Sequence, residues 1–254
     1  MIASLDDLRL VELERLILHE AHDGGRLASL RGRIAAEREQ RNPVIVSSQG
    51  DCCLVLDGAH RVSALRELGC RFVLVQFVEP PERAESWAHV LEELNVAELL
   101  GIEGIEVSEL PECAPLAEVE IAGGERFSVR SRGGEGLLAE VRALWALQSL
   151  YPEGVVVRRV EPDGLPAPAE GESVIRYRPF AADELVEIVR SGAVLPAGIT
   201  RFRVRERVLG VRYPLEGLQD GDASRRNAEL RAFVKRLWEE NRIRYYEEPV
   251  VLFE

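Results

Sequence analysis

One segment constrains the fold of this chain more than any other: an apolar run that ends in Asp57 and Gly58 and passes at once into a helical pattern. Residues 54–56 are typical of a buried strand. From residue 60 to residue 68 apolar side chains recur on one helical face, and Gly69 follows as a C-terminal cap. The sequence therefore predicts a strand that turns directly into a helix.

This turn also has chemical consequences. The N–H groups of the first helical turn have no partner within the helix, and the helix dipole favours an anion there. Arg61 can add charge-assisted hydrogen bonds, and Gly58 lets a ligand approach the backbone because it lacks a Cβ atom. The pattern predicts a phosphate site beside Asp57 and His60. A simpler interpretation stays open, in which Asp57 only caps the helix and His60 lies at the surface.

The residues before position 80 alternate between strand and helix patterns. Together they form a compact order of strand, helix, hairpin, helix and strand. The predicted elements are a strand over 8–18 that ends in a turn, a helix over 26–39, a hairpin of 44–46 and 53–56, a helix over 60–68 and a strand over 72–78.

Pro80 and Pro81 mark a boundary. Residues 82–100 have a helical pattern and residues 101–114 a loop pattern with short extended pieces, so we interpret 81–114 as a connector. The predicted fold class is α+β, with an N-terminal mixed domain over 1–80 and a C-terminal α+β domain over 115–254.

The C-terminal region contains further strand and helix patterns, and a Pro/Gly-rich loop is predicted over 162–173. The predicted helices cover 136–150, 183–190 and 224–241. The predicted strands lie at 121, 127–130 and 155–160, in a hairpin of 200–204 and 208–213, and over 243–253.

The charge balance narrows the choice of partner. The chain has 44 Asp and Glu residues against 32 Lys and Arg, a formal net charge of -12. Duplex DNA requires a concentrated basic surface, so we expect no DNA partner. No apolar run approaches the roughly 20 residues of a membrane helix. Because Asp6 and Asp7 stand where a secretory signal would be basic, we expect a cytoplasmic protein.

A second candidate stretch contains His19, Glu20 and His22. Two histidines and an acid suggest a metal, but only His60 and His89 remain as distant histidine ligands, and the four cysteines form no C-x-x-C pair. We therefore predict no protein metal site. Spacing alone does not distinguish Glu20 from the other acidic residues of the chain, which has 44 Asp and Glu residues in all.

The third candidate stretch is the turn at 195–202, which opens into a predicted strand. The Thr200 hydroxyl, free backbone amides and the Arg201 guanidinium are groups that can hold a small carboxylate. They can equally stabilise the turn, and the pattern does not distinguish the two.

Two motifs connect these stretches to a known family. The Asn-Pro-Val-Ile-Val box at 42–46 and the Gly-Ala-His-Arg turn at 58–61 resemble the ParB/sulfiredoxin superfamily. The chain is most similar to the branch of free L-serine kinases, in particular the SbnI-like enzymes of staphyloferrin B siderophore clusters. This resemblance includes 18–20, 57–61 and 196–202 and runs nearly end to end, with residues 81–150 matching least.

The resemblance implies a role for each candidate residue. Glu20 would act on the serine hydroxyl, and Asp57 would be required near the reacting phosphate. The turn formed by Gly58, Ala59, His60 and Arg61 would hold the nucleotide phosphates, and Thr200 and Arg201 would hold the serine carboxylate. The donor would be ATP or ADP, with Mg²⁺ held mainly by the nucleotide. The product would be O-phospho-L-serine, supplied to siderophore biosynthesis.

Sequence differences distinguish this chain from other members of the superfamily. Sulfiredoxins have a catalytic Cys where this chain has Ala59, which excludes sulfinic acid reduction by that route. The alternatives are a nucleotide-gated, DNA-binding regulator without kinase activity and a domain that only binds a metabolite or a partner protein. The kinase hypothesis requires Glu20 and Asp57 to open onto the same cleft.

Overall fold

The computed structural model describes residues 3–21, 24–79, 85–92, 94–109, 113–152 and 156–246. Its helices are α1 (Ala3–Asp6), α2 (Gly24–Glu37), α3 (Ala59–Glu67), α4 (Val96–Gly101), α5 (Leu137–Gln148), α6 (Ala182–Arg190) and α7 (Ala223–Glu239), with 3₁₀ turns at Leu13–Arg15 and Leu215–Leu218. Its strands are β1 (Leu8–Glu12), β2 (Leu16–Ile17), β3 (Glu39–Gln40), β4 (Val44–Gln49), β5 (Cys52–Asp57), β6 (Phe72–Phe77), β7 (Glu85–Ser86), β8 (Ala88–Glu92), β9 (Ile105–Ser108), β10 (Ala117–Ile121), β11 (Arg126–Ser131), β12 (Arg158–Val160), β13 (Glu172–Tyr177), β14 (Thr200–Arg201) and β15 (Tyr213–Pro214). The predicted α+β class is confirmed.

The first sheet has the strand order β1-β6-β4-β5-β2. β4 and β5 form the predicted hairpin through a turn at Gly50, whose positive φ of 65° suits a residue without a Cβ atom. β5 ends at Asp57, and α3 begins two residues later, as the sequence predicts. The order of strand, helix, hairpin, helix and strand is confirmed.

The second sheet has the strand order β12-β8-β13-β10-β11-β9, and all its pairs are antiparallel. α5 packs against β11 and β9, and α6 packs against α5. The central strand β13 was not predicted, because the Pro/Gly-rich loop was expected to run to Ser173.

The predicted helix over 82–100 is wrong. Residues 88–92 form β8, which lies inside the second sheet, and among the described residues of this range the helix is confined to Val96–Gly101. Residues 88–91 are all buried, and a continuous apolar run does not separate a strand from a helix by its period. The helix starts where the Asn95 side chain accepts hydrogen bonds from two backbone N–H groups.

The predicted hairpin of 200–204 and 208–213 is also wrong. β14 pairs with β7 and β15 pairs with β3, so the two segments do not pair with each other. Between them the Gln76 side chain donates to the carbonyl oxygen of Glu206 (3.0 Å) and accepts from the N–H of Val208 (2.9 Å). A side chain thus takes the place of a strand partner. Residues 243–246 form no strand, and the rest of the strand predicted there lies outside the described residues.

The two sheets are in direct contact through their hydrophobic side chains. Ile45, Leu54 and Leu56 of the first sheet pack into the core of the second. α7 packs instead against β1 of the first sheet, with Leu230 and Val234 in that core. The domain boundaries at 80/81 and 114/115 stay predictions. Among the described residues, no helix combines the length and the apolar character needed to cross a membrane.

The buried side chain of Gln40 forms hydrogen bonds with the backbone of the first sheet. Its side chain is fully buried, its Nε2 donates to the carbonyl oxygen of Leu74 (2.7 Å), and its Oε1 accepts from the N–H of Leu74 (2.9 Å). The amide therefore satisfies both backbone groups of a residue in β6.

We expect Gln40→Leu to lower the free energy of unfolding by about 2 to 4 kcal/mol, because it leaves two buried backbone groups without partners. The control Gln49→Leu, at the half-exposed end of β4, should stay within about 0.5 kcal/mol. Urea denaturation of both variants measures the difference. Equal losses would show that the Gln40 amide does not hold β6.

Candidate active site

A cavity of about 610 Å³ lies where the two sheets meet. Three stretches supply most of its wall: the loop after β2, the turn after β5 and the segment around β14. Glu20 and Asp57 therefore open onto one cavity, as the kinase hypothesis requires. The lining residues are Leu18, His19, Glu20, Ala21, Val55, Leu56, Asp57, Gly58, Ala59, His60, Trp87, Arg159, Ala197, Gly198, Thr200, Arg201, Phe202, Arg203, Val204 and Arg207.

Glu20 is fixed by donors from the far end of the chain. The N–H of Gly198 donates to one carboxylate oxygen (2.8 Å), and the N–H and hydroxyl of Thr200 donate to the other (2.5 and 2.6 Å). Backbone hydrogen bonds between this loop and Leu195 hold the two segments side by side. The position and orientation of the Glu20 carboxylate are thus set by residues 195–200.

His19 supports the same arrangement from the buried side. Its Nε2 lies 2.7 Å from the hydroxyl oxygen of Thr200. Since that hydroxyl gives its single hydrogen to Glu20, the His19 ring must donate to it. Burial lowers the pKa of His19, although the charge of Glu20 acts in the opposite direction. A neutral His19 with its proton on Nε2 fits this position.

A second buried network lies behind Gly198. The Nε2–H of His89 donates to the carbonyl oxygen of Gly198 (2.7 Å), so its Nδ1 accepts from the Tyr151 hydroxyl (2.7 Å). The Tyr151 hydroxyl is also hydrogen-bonded to that of Tyr177. Burial lowers the pKa of His89 to about 4. The loop that holds Glu20 is therefore anchored to the second sheet through a neutral histidine.

Asp57 lies at the opposite wall, at the entrance to α3. Arg207 contacts its carboxylate at 2.6 Å and Arg61 at 3.7 Å. Burial works to raise the pKa of the Asp57 carboxyl, but the charges of Arg61 and Arg207 outweigh it. A hydrogen bond from the N–H of Gly58 acts in the same direction, so the pKa lies below its ordinary value. Asp57 is a carboxylate at neutral pH.

The turn after Asp57 has the geometry that the sequence predicts. Gly58 has a φ of 107° and precedes the first residue of α3, and Ala59 and His60, in the first turn of this helix, line the cavity. Arg61 is not part of the cavity lining. Its guanidinium folds back over Gly58, where an added Cβ would lie 2.7 Å from Nη2. The direct contact of Arg61 with phosphate stays a prediction.

Thr200 and Arg201 both line the cavity, and their charge or hydrogen-bonding groups are engaged by carboxylates, although Nη1 of Arg201 is buried and forms no hydrogen bond with the described residues. The Thr200 hydroxyl and N–H bind Glu20. Arg201 forms ion pairs with Glu85 and Glu161, and its guanidinium stacks 4.6 Å from the centroid of the Trp87 ring. Two carboxylates already neutralise this arginine.

Sequence reasoning did not find four cavity residues with charged or aromatic side chains: Trp87, Arg159, Arg203 and Arg207. They lie on β12, next to β7 and in the irregular stretch after β14, and only the sheet pairing brings these segments together. No local pattern distinguishes them from other arginines of the chain. Arg207 pairs with Asp57 across 150 residues of sequence.

The donors expected of a metal site are not assembled here. No group of three or more His, Cys, Asp or Glu side chains suited to a metal ion occurs in the described part of the chain. The Nε2 atom of His19 is hydrogen-bonded to the Thr200 hydroxyl, and His22 lies outside the described residues.

Comparison with known proteins places this geometry in context. No model of a known protein family matches the sequence. The chain is 27% identical over 225 residues to a protein of Staphylococcus aureus described as the ATP-dependent L-serine kinase SbnI, and the match covers 85% of this chain and 86% of that protein.

Solved structures share the fold. A C-terminally truncated SbnI from Staphylococcus aureus superimposes with a TM-score of 0.81 at 22% identity, covering 94% of this chain and 100% of that one. A free serine kinase in complex with AMP superimposes with a TM-score of 0.66 at 19% identity, covering 84% of this chain and 93% of that one. A Glu-to-Ala variant of a free serine kinase in complex with ADP gives 0.66 at 18% identity, with coverages of 84% and 94%.

We expect stability to fall as the pH drops from 6.5 towards 4, partly because of His89. Its folded-state pKa of about 4 lies below the ordinary 6.5, so the unfolded chain binds this proton first as the pH falls. The contribution reaches at most about 3 kcal/mol. His89→Gln keeps a donor for Gly198 but does not titrate, so its unfolding free energy should depend less on pH in this window. Parallel pH profiles for both proteins would contradict this.

Proposed function

We propose that this chain is a free L-serine kinase, which transfers the terminal phosphoryl group of a nucleotide to the serine hydroxyl and releases O-phospho-L-serine. One observation carries the proposal: a fixed carboxylate, Glu20, and an ionised Asp57 face one cavity at the N-terminus of α3. The similarity to a serine kinase over 85% of the chain supports the choice of reaction.

The nucleotide phosphates bind at the start of α3. The backbone at the start of α3, where Gly58, Ala59 and His60 line the cavity, and the positive end of the helix dipole stabilise an anion there. Arg207 adds a cation at the same wall, while Arg61 acts through Asp57 and Gly58. Mg²⁺ enters with the nucleotide as part of the substrate and neutralises charge on the phosphate oxygens.

Glu20 is the general base. A carboxylate has about four acceptor directions, and the described residues use three of them. The remaining direction accepts the proton of the serine hydroxyl. The serine oxygen then forms its bond to the terminal phosphorus, the bond to the leaving nucleotide oxygen breaks, and the proton stays on Glu20 until the product leaves.

Positioning dominates the rate of this reaction. Phosphoryl transfer passes through a loose transition state, so the site must mainly align the attacking oxygen with phosphorus and neutralise developing charge. Asp57 serves this purpose by holding Arg207 at 2.6 Å near the phosphate end. The loop at 198–200 serves it at the serine end, since it fixes Glu20 and supplies the walls formed by Thr200 and Arg201.

The donor is ATP or ADP. The relative in Staphylococcus aureus is described as ATP-dependent, and the structural neighbours are described as complexes with AMP or ADP. The cavity volume of about 610 Å³ lies within the usual range of small-molecule sites.

The resemblance to the family also indicates a domain type and a metabolic role. Residues 1–80 form a ParB/sulfiredoxin-like domain, on the strength of the boxes at 42–46 and 58–61. The phosphoserine serves a staphyloferrin B-like siderophore pathway in the cytoplasm, in keeping with the similarity to SbnI. The rival DNA-binding regulator is not favoured, because the chain has a net charge of -12.

We expect Glu20→Gln to reduce turnover by about 10² to 10⁴-fold, the usual contribution of a positioned general base. Because the substitution also disturbs the donors at Gly198 and Thr200, the control is Thr200→Val, which loses one donor but keeps the carboxylate. Phosphoserine is quantified by mass spectrometry, and nucleotide binding by calorimetry should change little. Parent-level turnover in Glu20→Gln would remove Glu20 from the mechanism.

We expect Gly58→Ala to weaken nucleotide binding about tenfold or more, because its Cβ would displace Arg61 and strain the turn that presents the helix N–H groups. Gly69→Ala is the matched control. Gly69 ends the same helix with a φ of 71°, but its Cβ would meet no atom within 4 Å. Calorimetric titration with nucleotide compares the two. Equal affinities would argue against a phosphate site at this turn.

A further inference from the structure

The arginines of the cavity differ in how their charge is balanced. Arg201 and Arg203 pair with Glu85 and Glu161, and Arg207 pairs with Asp57. Arg159 also lines the cavity, yet it forms no ion pair with any residue in the described ranges. Among the described residues it is a cation of the site without a carboxylate partner.

The position of Arg159 is set by β12, which is an edge strand of the second sheet. Arg159 lies on β12, opposite His89 of β8. The side chain lies over Gly198, where an added Cβ would be 2.2 Å from Nε and 2.5 Å from Nη2. Glycine at 198, with a φ of 79°, is therefore what allows the guanidinium to come so close to the backbone.

Gly198 links this guanidinium to the reacting end of the site. Its N–H holds the Glu20 carboxylate at 2.8 Å, and its carbonyl oxygen is held by His89. Arg159 and Glu20 therefore contact the same residue from different directions. In serine the hydroxyl and the carboxylate are separated by only two carbon atoms, so a substrate whose hydroxyl faces Glu20 presents its carboxylate close by.

We propose that Arg159 binds the carboxylate of the amino acid substrate. This inference rests on the proposed kinase function and moves the carboxylate contact to Arg159. Thr200 already binds Glu20, and the charge of Arg201 is already balanced by Glu85 and Glu161. A guanidinium matches a carboxylate with two parallel hydrogen bonds. Arg159 is exposed in the free protein, so its charge carries no burial cost before the substrate arrives.

The same contact determines specificity. An amino alcohol that lacks the carboxylate leaves Arg159 without its partner, whereas the hydroxyl still reaches Glu20. The enzyme should therefore select an α-amino acid and discriminate against the neutral amide of serine.

The test compares L-serine with L-serinamide as acceptors for the full-length chain with Mg²⁺ and nucleotide. For Arg159→Gln we expect the KM for L-serine to rise about 10- to 100-fold, with the KM for nucleotide and the activity on L-serinamide unchanged. Arg159→Lys should recover part of the loss, since it restores the charge without the fork. The matched control is Arg158→Gln, on the same strand, whose partner is Glu172 at 2.6 Å.

Calorimetric binding of L-serine to the same proteins separates this inference from the proposed function. If the wild-type chain binds L-serine and Arg159→Gln does not, the inference holds even where no phosphoserine forms, and only the kinase proposal fails. Three results would overturn the inference: unchanged serine affinity and serine-to-serinamide ratio in Arg159→Gln, a rise confined to the nucleotide KM, or no serine binding by the wild-type chain.

Discussion

The hydrogen bonds between Glu20 and the loop at 198–200 are the interaction on which the rest of the site depends. They join two segments that lie 178 and 180 residues apart in the sequence and bring the first sheet's loop against the second sheet. A carboxylate held by three donors keeps one orientation, which a base for a small substrate requires. The same loop is fixed from behind by His89, so the Glu20 carboxylate is supported by both sheets.

In the proposed function, the cavity is the place where an acidic chain binds anions. Although the net charge is -12, arginines are concentrated at this junction, and most of them are balanced by neighbouring carboxylates. Balanced pairs fix geometry without creating a strong field, whereas an arginine without a partner and a helix N-terminus attract a charged ligand. In the proposed function, these two positions hold the phosphate of the nucleotide and the carboxylate of serine.

The sequence predicts well the parts of the site that are local. A strand that ends in Asp57 and Gly58 and runs into a helix is written in consecutive residues, and the structure agrees with it. Glu20 has no such pattern: its partners lie on the far loop, and only resemblance to a family singled it out. Arg159 and Arg207 depend on tertiary pairing alone. The prediction of a helix over 82–100 failed because residues 88–91 of β8 are buried on both faces of the sheet and so show no alternation.

The most direct measurement is ³¹P NMR of the full-length chain incubated with L-serine, Mg²⁺ and either ATP or ADP. The account predicts a new phosphomonoester resonance that coincides with added O-phospho-L-serine and grows as the terminal phosphate signal of one donor declines. Consumption of neither donor in the presence of serine, or release of inorganic phosphate alone, would contradict it.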